Sequence, residues 1–285
     1  MLFKDLDIFL RAAAAILQGS DPYSIPNLEV FYPLPFYFLF IPFVVIPAPA
    51  VYAVWFALSV IVLVAILRQR AVFVVLSMPV LLTFLLGQID IVIMGLYAAI
   101  RSGVGAGIAL AFIVLKPQLA LLLAPWMLWY WWRSARQQIV SFALVIGSLV
   151  VASFVVQPDW VARFLARSGE RTRAAISSSI WGLTSFMPSS LWLPLTALIV
   201  AAIVIWALRK NSFPIVATVG LLTSPFIFSY NLTPLFITLR RKSLLIGLTV
   251  LSWITFGIGA WQSSDNAAVF ITLVILGTLI LEKQR

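Results

Sequence analysis

The chain has 285 residues, of which 63% are hydrophobic and only 10% are charged. Soluble domains are about half apolar and about a quarter charged, so this sequence lacks the polar residues that would coat a soluble fold. It contains no cysteine and no histidine. That excludes disulfides, the common zinc and haem sites, and any Ser-His or Cys-His catalytic pair. The net charge of +10 is typical of Lys and Arg in cytoplasmic loops, and we expect no nucleic-acid partner.

The pattern of apolar runs predicts an all-α polytopic membrane protein with about 9–11 transmembrane or re-entrant helices. We expect residues 1–285 to form a single integral membrane domain. Arg/Lys clusters or Pro, Gly and polar breaks separate the runs, and several runs are too short for a full span. The runs cover residues 35–46, 49–67, 71–86, 88–100, 103–115, 117–132, 137–156, 191–208, 213–229, 231–239, 243–260 and 267–281.

The basic residues predict the orientation of the chain in the plasma (cytoplasmic) membrane, because Lys and Arg favour cytoplasmic connections. Six clusters fall at alternate connections: Arg68/Arg70, Arg101, Arg133/Arg136, Arg209/Lys210, Arg240/Arg241/Lys242 and Lys283/Arg285. This register makes the C-terminus cytoplasmic, and residues 1–34 and 157–190 become extracytoplasmic loops. It also places every acidic residue except Glu282 on the outer face. These acids are either ordinary residues of the outer loops or part of a functional site at that surface.

The outer loop carries four arginines against the charge bias: Arg163, Arg167, Arg171 and Arg173. A spacing of four residues places Arg163, Arg167 and Arg171 on one face of a helix that we expect to begin near Trp160. Such a face could anchor the helix to lipid headgroups or bind a specific anionic ligand, since Arg suits phosphate oxygens. The residues alone leave both readings open.

Polar breaks in the apolar sequence supply the other candidate residues. Asp5 and Asp7 precede an amphipathic stretch at the outer surface, where a carboxylate can act as a general base or simply be solvated. Lys116, before Pro117, either serves function within the membrane or snorkels to the outer interface. Gln88 and Asp90 either cap a helix or bind a ligand. Tyr230 and Asn231 mark a break that would line a cavity.

These breaks, taken in order, resemble the integral-membrane GT-C glycosyltransferases, specifically glycosyltransferase family 87 (the DUF2029 group of polyprenyl-phosphate-mannose-dependent mannosyltransferases). The resemblance covers most of the chain. The matching residues are Asp5-Leu6-Asp7-Ile8-Phe9, Ala12-Ala13, Gly19-Ser20-Asp21-Pro22-Tyr23, Phe31-Tyr32-Pro33-Leu34-Pro35, Leu86-Gly87-Gln88, Gly107, Lys116-Pro117, Ser179-Ile180-Trp181-Gly182-Leu183, Ser224-Pro225 and Tyr230-Asn231.

The resemblance implies a GT-C-like bundle that transfers a hexose, with mannose the first candidate, from a polyprenyl-phosphate donor to an extracytoplasmic lipid or glycan acceptor. It implies that no metal is obligatory, and we expect no cofactor. It makes Asp5 the catalytic base, with Asp7 as the alternative. Gln88, Asp90, Tyr230 and Asn231 would contact the sugar or line its cavity. The phosphate partners would be Lys116, Arg163, Arg167 and Arg171.

The sequence departs from the family pattern at its N-terminus, where the usual first transmembrane helix is absent. We therefore keep open an inactive truncated family member. A transporter or lipid flippase is the other alternative, since broken helices with polar residues also occur in transporters. The polar breaks here gather at one surface instead of the membrane midplane, which favours surface chemistry.

Overall fold

A computed structural model describes residues 2–169 and 176–283, and within these ranges the protein is all-α, as predicted. In chain order the helices are α1 Lys4–Leu17, α2 Leu34–Tyr37, α3 Ala48–Leu67, α4 Ala71–Val74, α5 Met78–Leu86, α6 Asp90–Ser102, α7 Ala106–Val114, α8 Pro117–Ala120, α9 Leu123–Ser134, α10 Arg136–Val156, α11 Trp160–Gly169, α12 Ile180–Leu183, α13 Ser189–Lys210, α14 Phe213–Thr223, α15 Lys242–Gln262 and α16 Val269–Lys283.

Long apolar helices make this an integral membrane protein. In the described ranges, four continuous helical stretches are long and apolar enough to cross a bilayer: Ala48–Val74, Arg136–Val156, Ser190–Lys210 and Lys242–Gln262. The helices α5 and α6 pass the same test together but meet at a bend of 117°. Other apolar segments are shorter helices, as the short runs in the sequence anticipate. Most of α10 is exposed and apolar, a face suited to lipid instead of water.

The centre of the molecule is built from shorter and irregular segments. The 3₁₀ segment Ser229–Thr238 is almost wholly buried and packs against α5, α6, α14 and α16. Non-helical backbone is tolerated at membrane depth only where protein covers it, and this segment meets that condition. It carries Asn231 into the interior and places Tyr230, which is half-buried, at the edge of the interior.

The N-terminal segment is a docked amphipathic helix. Its apolar face buries Leu6, Phe9, Ala12 and Ile16. The Phe9 ring lies in an aromatic cluster with Tyr32, Phe36, Tyr37 and Phe40. This packing fixes the polar face of α1, and with it Asp5, against the rest of the fold.

The two ends of α6 carry opposite charges. Asp90 is its first residue, whereas Arg101 lies in its last turn and donates to the Ile237 carbonyl oxygen at 3.0 Å. Nearby, Arg70 donates to the Leu239 carbonyl oxygen at 2.6 Å. Two of the predicted cytoplasmic clusters therefore share one end of the molecule, opposite to Asp90.

The close contact between α7 and α10 depends on Gly107. A Cβ there would lie 2.0 Å from the Gln138 carbonyl oxygen, so α7 and α10 could not keep their approach. We expect Gly107→Ala to destabilise the detergent-solubilised protein by about 1–3 kcal/mol, as overpacking does. Gly147→Ala on α10 is the matched control, because nothing lies within 4 Å of its added Cβ. The measurement is the temperature at which the monodisperse peak is lost. Equal stability of the two variants would contradict the observed contact.

Candidate functional site

Six of the predicted site residues meet in one continuous set of polar contacts. Gln88 Nε2 donates to Asp5 Oδ2 at 2.6 Å, and Lys116 Nζ donates to Gln88 Oε1 at 3.0 Å. Lys116 Nζ also donates to Asp90 Oδ2 at 2.6 Å, while Asn231 Nδ2 donates to Asp90 Oδ1 at 3.0 Å. The sixth residue, Tyr230, places its ring centroid 5.2 Å from Lys116 Nζ. Residues far apart in sequence thus form one polar cluster.

Local sequence explains how the backbone reaches this point. Gly87 ends α5 with φ at +71°, a left-handed conformation that glycine adopts without strain. A Cβ at Gly87 would lie 2.7 Å from Leu6 Cβ, so the glycine also lets α1 approach. Asp90 then opens α6, where a carboxylate favours the positive end of the helix dipole. Pro117 starts α8 and leaves Lys116 at the break between helices.

The ion pair of this cluster is sealed inside the protein. The side chains of Lys116 and Asp90 are both 0% exposed. The ammonium lies within cation–π distance of the rings of Tyr32 and Tyr230, at 5.7 and 5.2 Å. The alternative in which Lys116 snorkels to the membrane interface is therefore wrong. Because both side chains are fully buried in this arrangement, Lys116 does not reach a donor phosphate and Asp90 does not reach a sugar.

Asp5, Gln88 and Tyr230 instead face an open cavity of about 50 Å³. The wall is completed by Ile8, Phe9, Glu29, Phe31 and Tyr32. Sequence reasoning did not select Glu29 or Tyr32. Glu29 pairs with Lys4 at 3.3 Å, and both side chains are more than half exposed at the rim.

Asp5 is the carboxylate of the cluster that reaches this cavity. Burial raises its pKa above the ordinary value, while the hydrogen bond from Gln88 and the charge of Lys116 act in the opposite direction. A carboxylate whose pKa is raised by partial burial is suited to general-base chemistry.

Asp7, the alternative base, lies elsewhere. Residues two apart on a helix point to different sides, and the Asp7 carboxylate lies beside Tyr52. We find no contact that joins Asp7 to the cluster within the described part of the chain.

The predicted arginine face forms a helix, but its contacts differ from those expected. Arg163 binds Asp159 at 2.6 Å and Asp21 at 2.5 Å, and Gln157 also donates to Asp21. These contacts tie α11 to the turn after α1, so Arg163 already has carboxylate partners. The side chain of Arg167, and the whole of Arg171 and Arg173, lie outside the described residues.

An apolar groove of about 280 Å³ lies beside the polar cavity and shares Phe31 with it. Its walls come from α8, α11 and the break after α14: Phe31, Pro117, Gln118, Leu121, Phe164, Leu165, Ser224, Pro225 and Phe226. The Ser224 hydroxyl is buried in this wall with no hydrogen-bond partner among the described residues.

A second polar cluster, which sequence reasoning missed, supports the Tyr230 segment. The half-buried Asp265 carboxylate accepts hydrogen bonds from the Ser178 hydroxyl, at 3.0 Å, and from the Ser229 backbone N–H. Burial raises the pKa of Asp265. No local pattern marks Asp265, since its partners lie 36 and 87 residues away.

The fold and the polar cluster define an integral membrane protein in which a carboxylate borders an open cavity. The sequence matches the family model of Glycosyltransferase family 87 over residues 31–229, well over half of the chain. The chain therefore belongs to this family and is a glycosyltransferase, which decides against the transporter and flippase alternatives. Comparison with curated proteins and with solved structures gave no match.

The buried ion pair leads to a stability prediction. Lys116→Met leaves Asp90 buried without its cation, and breaking a buried pair costs about 3–5 kcal/mol. We expect a clear fall in the thermal midpoint of the purified protein. Lys4→Met is the matched control, because its pair with Glu29 is exposed and such pairs contribute about 0–1 kcal/mol. Equal midpoints for the two variants would contradict this account of Lys116.

Proposed function

We propose that this glycosyltransferase moves a hexose, with mannose the first candidate, from a polyprenyl phosphate to a lipid or glycan acceptor at the extracytoplasmic surface. The single observation that supports this best is the pairing of a carboxylate-lined cavity with an apolar groove, joined at Phe31. A lipid-linked sugar has the same two parts. Its chain would occupy the groove while its sugar entered the polar cavity.

In this proposal Asp5 is the catalytic base. The acceptor hydroxyl oxygen attacks the anomeric carbon, and Asp5 takes the hydroxyl proton. The bond between the anomeric carbon and the phosphate oxygen breaks, and the polyprenyl phosphate leaves with that electron pair. Tyr230, which lines the cavity with Asp5 and Gln88, would contact the sugar.

The leaving phosphate needs electrostatic stabilisation near the groove. Phe164 and Leu165 of α11 form part of the groove wall, so this helix borders the groove. We propose that the arginines of this stretch of sequence, Arg163, Arg167 and Arg171, supply this stabilisation. The unpaired Ser224 hydroxyl in the groove wall is a further donor.

The catalytic assignment predicts different effects for two neighbouring carboxylates. Asp5→Asn keeps the shape but removes the base, and we expect transfer to fall by about 10²–10⁴-fold. Asp7→Asn is the matched control on the same helix and should retain transfer, because Asp7 faces Tyr52. The measurement is sugar transfer from polyprenyl-phosphate-mannose in membranes containing equal amounts of each variant.

The reverse result, with Asp7→Asn inactive and Asp5→Asn active, would assign the base to Asp7. A parallel reaction supplies a nucleotide-linked sugar instead of the lipid donor. Transfer from the nucleotide donor alone would overturn the proposed donor class while leaving the glycosyltransferase assignment in place.

The proposed orientation predicts the labelling of single cysteines, which the cysteine-free chain makes unambiguous. Ser20 and Ser134 are both exposed, in the proposed outer and cytoplasmic parts of the chain. We expect Ser20→Cys to react with a membrane-impermeant maleimide on intact cells, and Ser134→Cys to react only after permeabilisation. The opposite pattern would place the site on the cytoplasmic side.

A further inference from the structure

The orientation of the Gln88 amide is fixed by the chemistry of its neighbours. Lys116 carries only donors, so the atom of Gln88 that faces it must be the carbonyl oxygen. The amide nitrogen must then face Asp5, where it donates at 2.6 Å. An amide flip would place donors against Lys116 and an acceptor against the Asp5 carboxylate.

Lys116 is itself held in one place. Its ammonium is bound by Asp90, and Asp90 uses its other oxygen to accept from Asn231. Lys116, Asp90 and Asn231 are all 0% exposed, and Gln88 is 2% exposed. Such a closed set of hydrogen bonds has one arrangement, so the direction imposed on Gln88 is constant.

The fixed direction of the Gln88 amide determines which group faces Asp5. A donor pointed at a carboxylate favours the ionised form and fixes the carboxylate in orientation. The charged groups that face Asp5 are Lys4 on its own helix, Glu29 on the loop after α1, and Lys116 beyond Gln88. Lys4 and Glu29 pair with each other at the rim, so the contact from Gln88 is the direct one.

We infer that Gln88 is a positioning residue that holds Asp5 ionised and aimed into the cavity, and that the Lys116–Asp90 pair serves to orient Gln88 instead of contacting the donor. This inference rests on the proposed function, with Asp5 as base. It gives Lys116 and Asp90 a role that their complete burial permits.

The test is the pH dependence of transfer by Gln88→Glu. This variant keeps the size of the side chain but replaces the donor with a second carboxyl group against Asp5. Two adjoining carboxyl groups retain a proton to higher pH, so the acidic limb of kcat/KM should move upward by about one pH unit or more. Transfer should fall at neutral pH and recover at higher pH, which a merely misfolded variant would not do. Gln18→Glu is the control, because it adds the same charge at the exposed end of α1.

A second variant separates orientation from donor binding. Lys116→Met/Asp90→Asn removes both buried charges together and leaves Asn231 an oxygen to bond. We expect kcat to fall at least about 10-fold, within the range for a weakened general base, while KM for polyprenyl-phosphate-mannose is unchanged. A raised KM with an unchanged kcat would make Lys116 a phosphate contact and overturn the inference. If this variant does not fold, the Gln88→Glu profile decides alone.

The two proposals fail in different ways. Transfer by the wild type, loss in Asp5→Asn and an unshifted profile in Gln88→Glu would overturn the role of Gln88 only. Absence of transfer by the wild-type protein would overturn the proposed function and this inference with it.

Discussion

The structure depends on the ion pair between Lys116 and Asp90 in the interior of a membrane protein. Removing a single charge from water to that position costs several kcal/mol. The attraction between two opposite charges 2.6 Å apart offsets this desolvation cost only if their remaining hydrogen bonds are also made. Gln88, Asn231 and two tyrosine rings supply those contacts. The pair thereby holds the start of α6, the break before α8 and the Ser229–Thr238 segment in one relative arrangement.

The same requirement explains why functional residues lie at helix breaks. A side chain inside a regular apolar helix points to lipid or to other helices, whereas a break turns backbone and side chains toward one another. The Gly87 turn and the Lys116–Pro117 step both do this, and both are covered by neighbouring segments. Irregular backbone is stable at this depth because it is covered, and the covering elements then become the walls of the cavity.

The sequence predicted the all-α membrane fold and the residues at which helices break. Both follow from the lengths of the apolar runs and from the polar, Pro and Gly residues that interrupt them. It also selected Gln88, Lys116 and Asn231 as candidate site residues. It could not supply those partners. The bond between Gln88 and Asp5 joins residues 83 apart, and the one between Arg163 and Asp21 joins residues 142 apart. Periodicity carries no information on such pairings, so the inward direction of Lys116 stayed open and the role of Asp265 was missed.

The protein combines a rigid interior, the Lys116–Asp90 pair, with an open cavity at Asp5. This combination suits an amphiphilic substrate, which has an apolar chain and a polar headgroup. Under the proposed function the lipid never leaves the apolar phase, so the protein must bring a base to the membrane surface. A carboxylate there would be solvated and weakly basic unless it were partly buried, and a fully buried carboxylate could not meet an acceptor. Asp5 lies between these limits: α1 packs its apolar face inward, and Gln88 holds the carboxylate at the edge of the cavity. No substrate needs to reach the buried pair behind Gln88, so the pair can remain closed and fully hydrogen-bonded. Its fixed position holds Gln88, and Gln88 in turn holds the Asp5 carboxylate at the edge of the cavity.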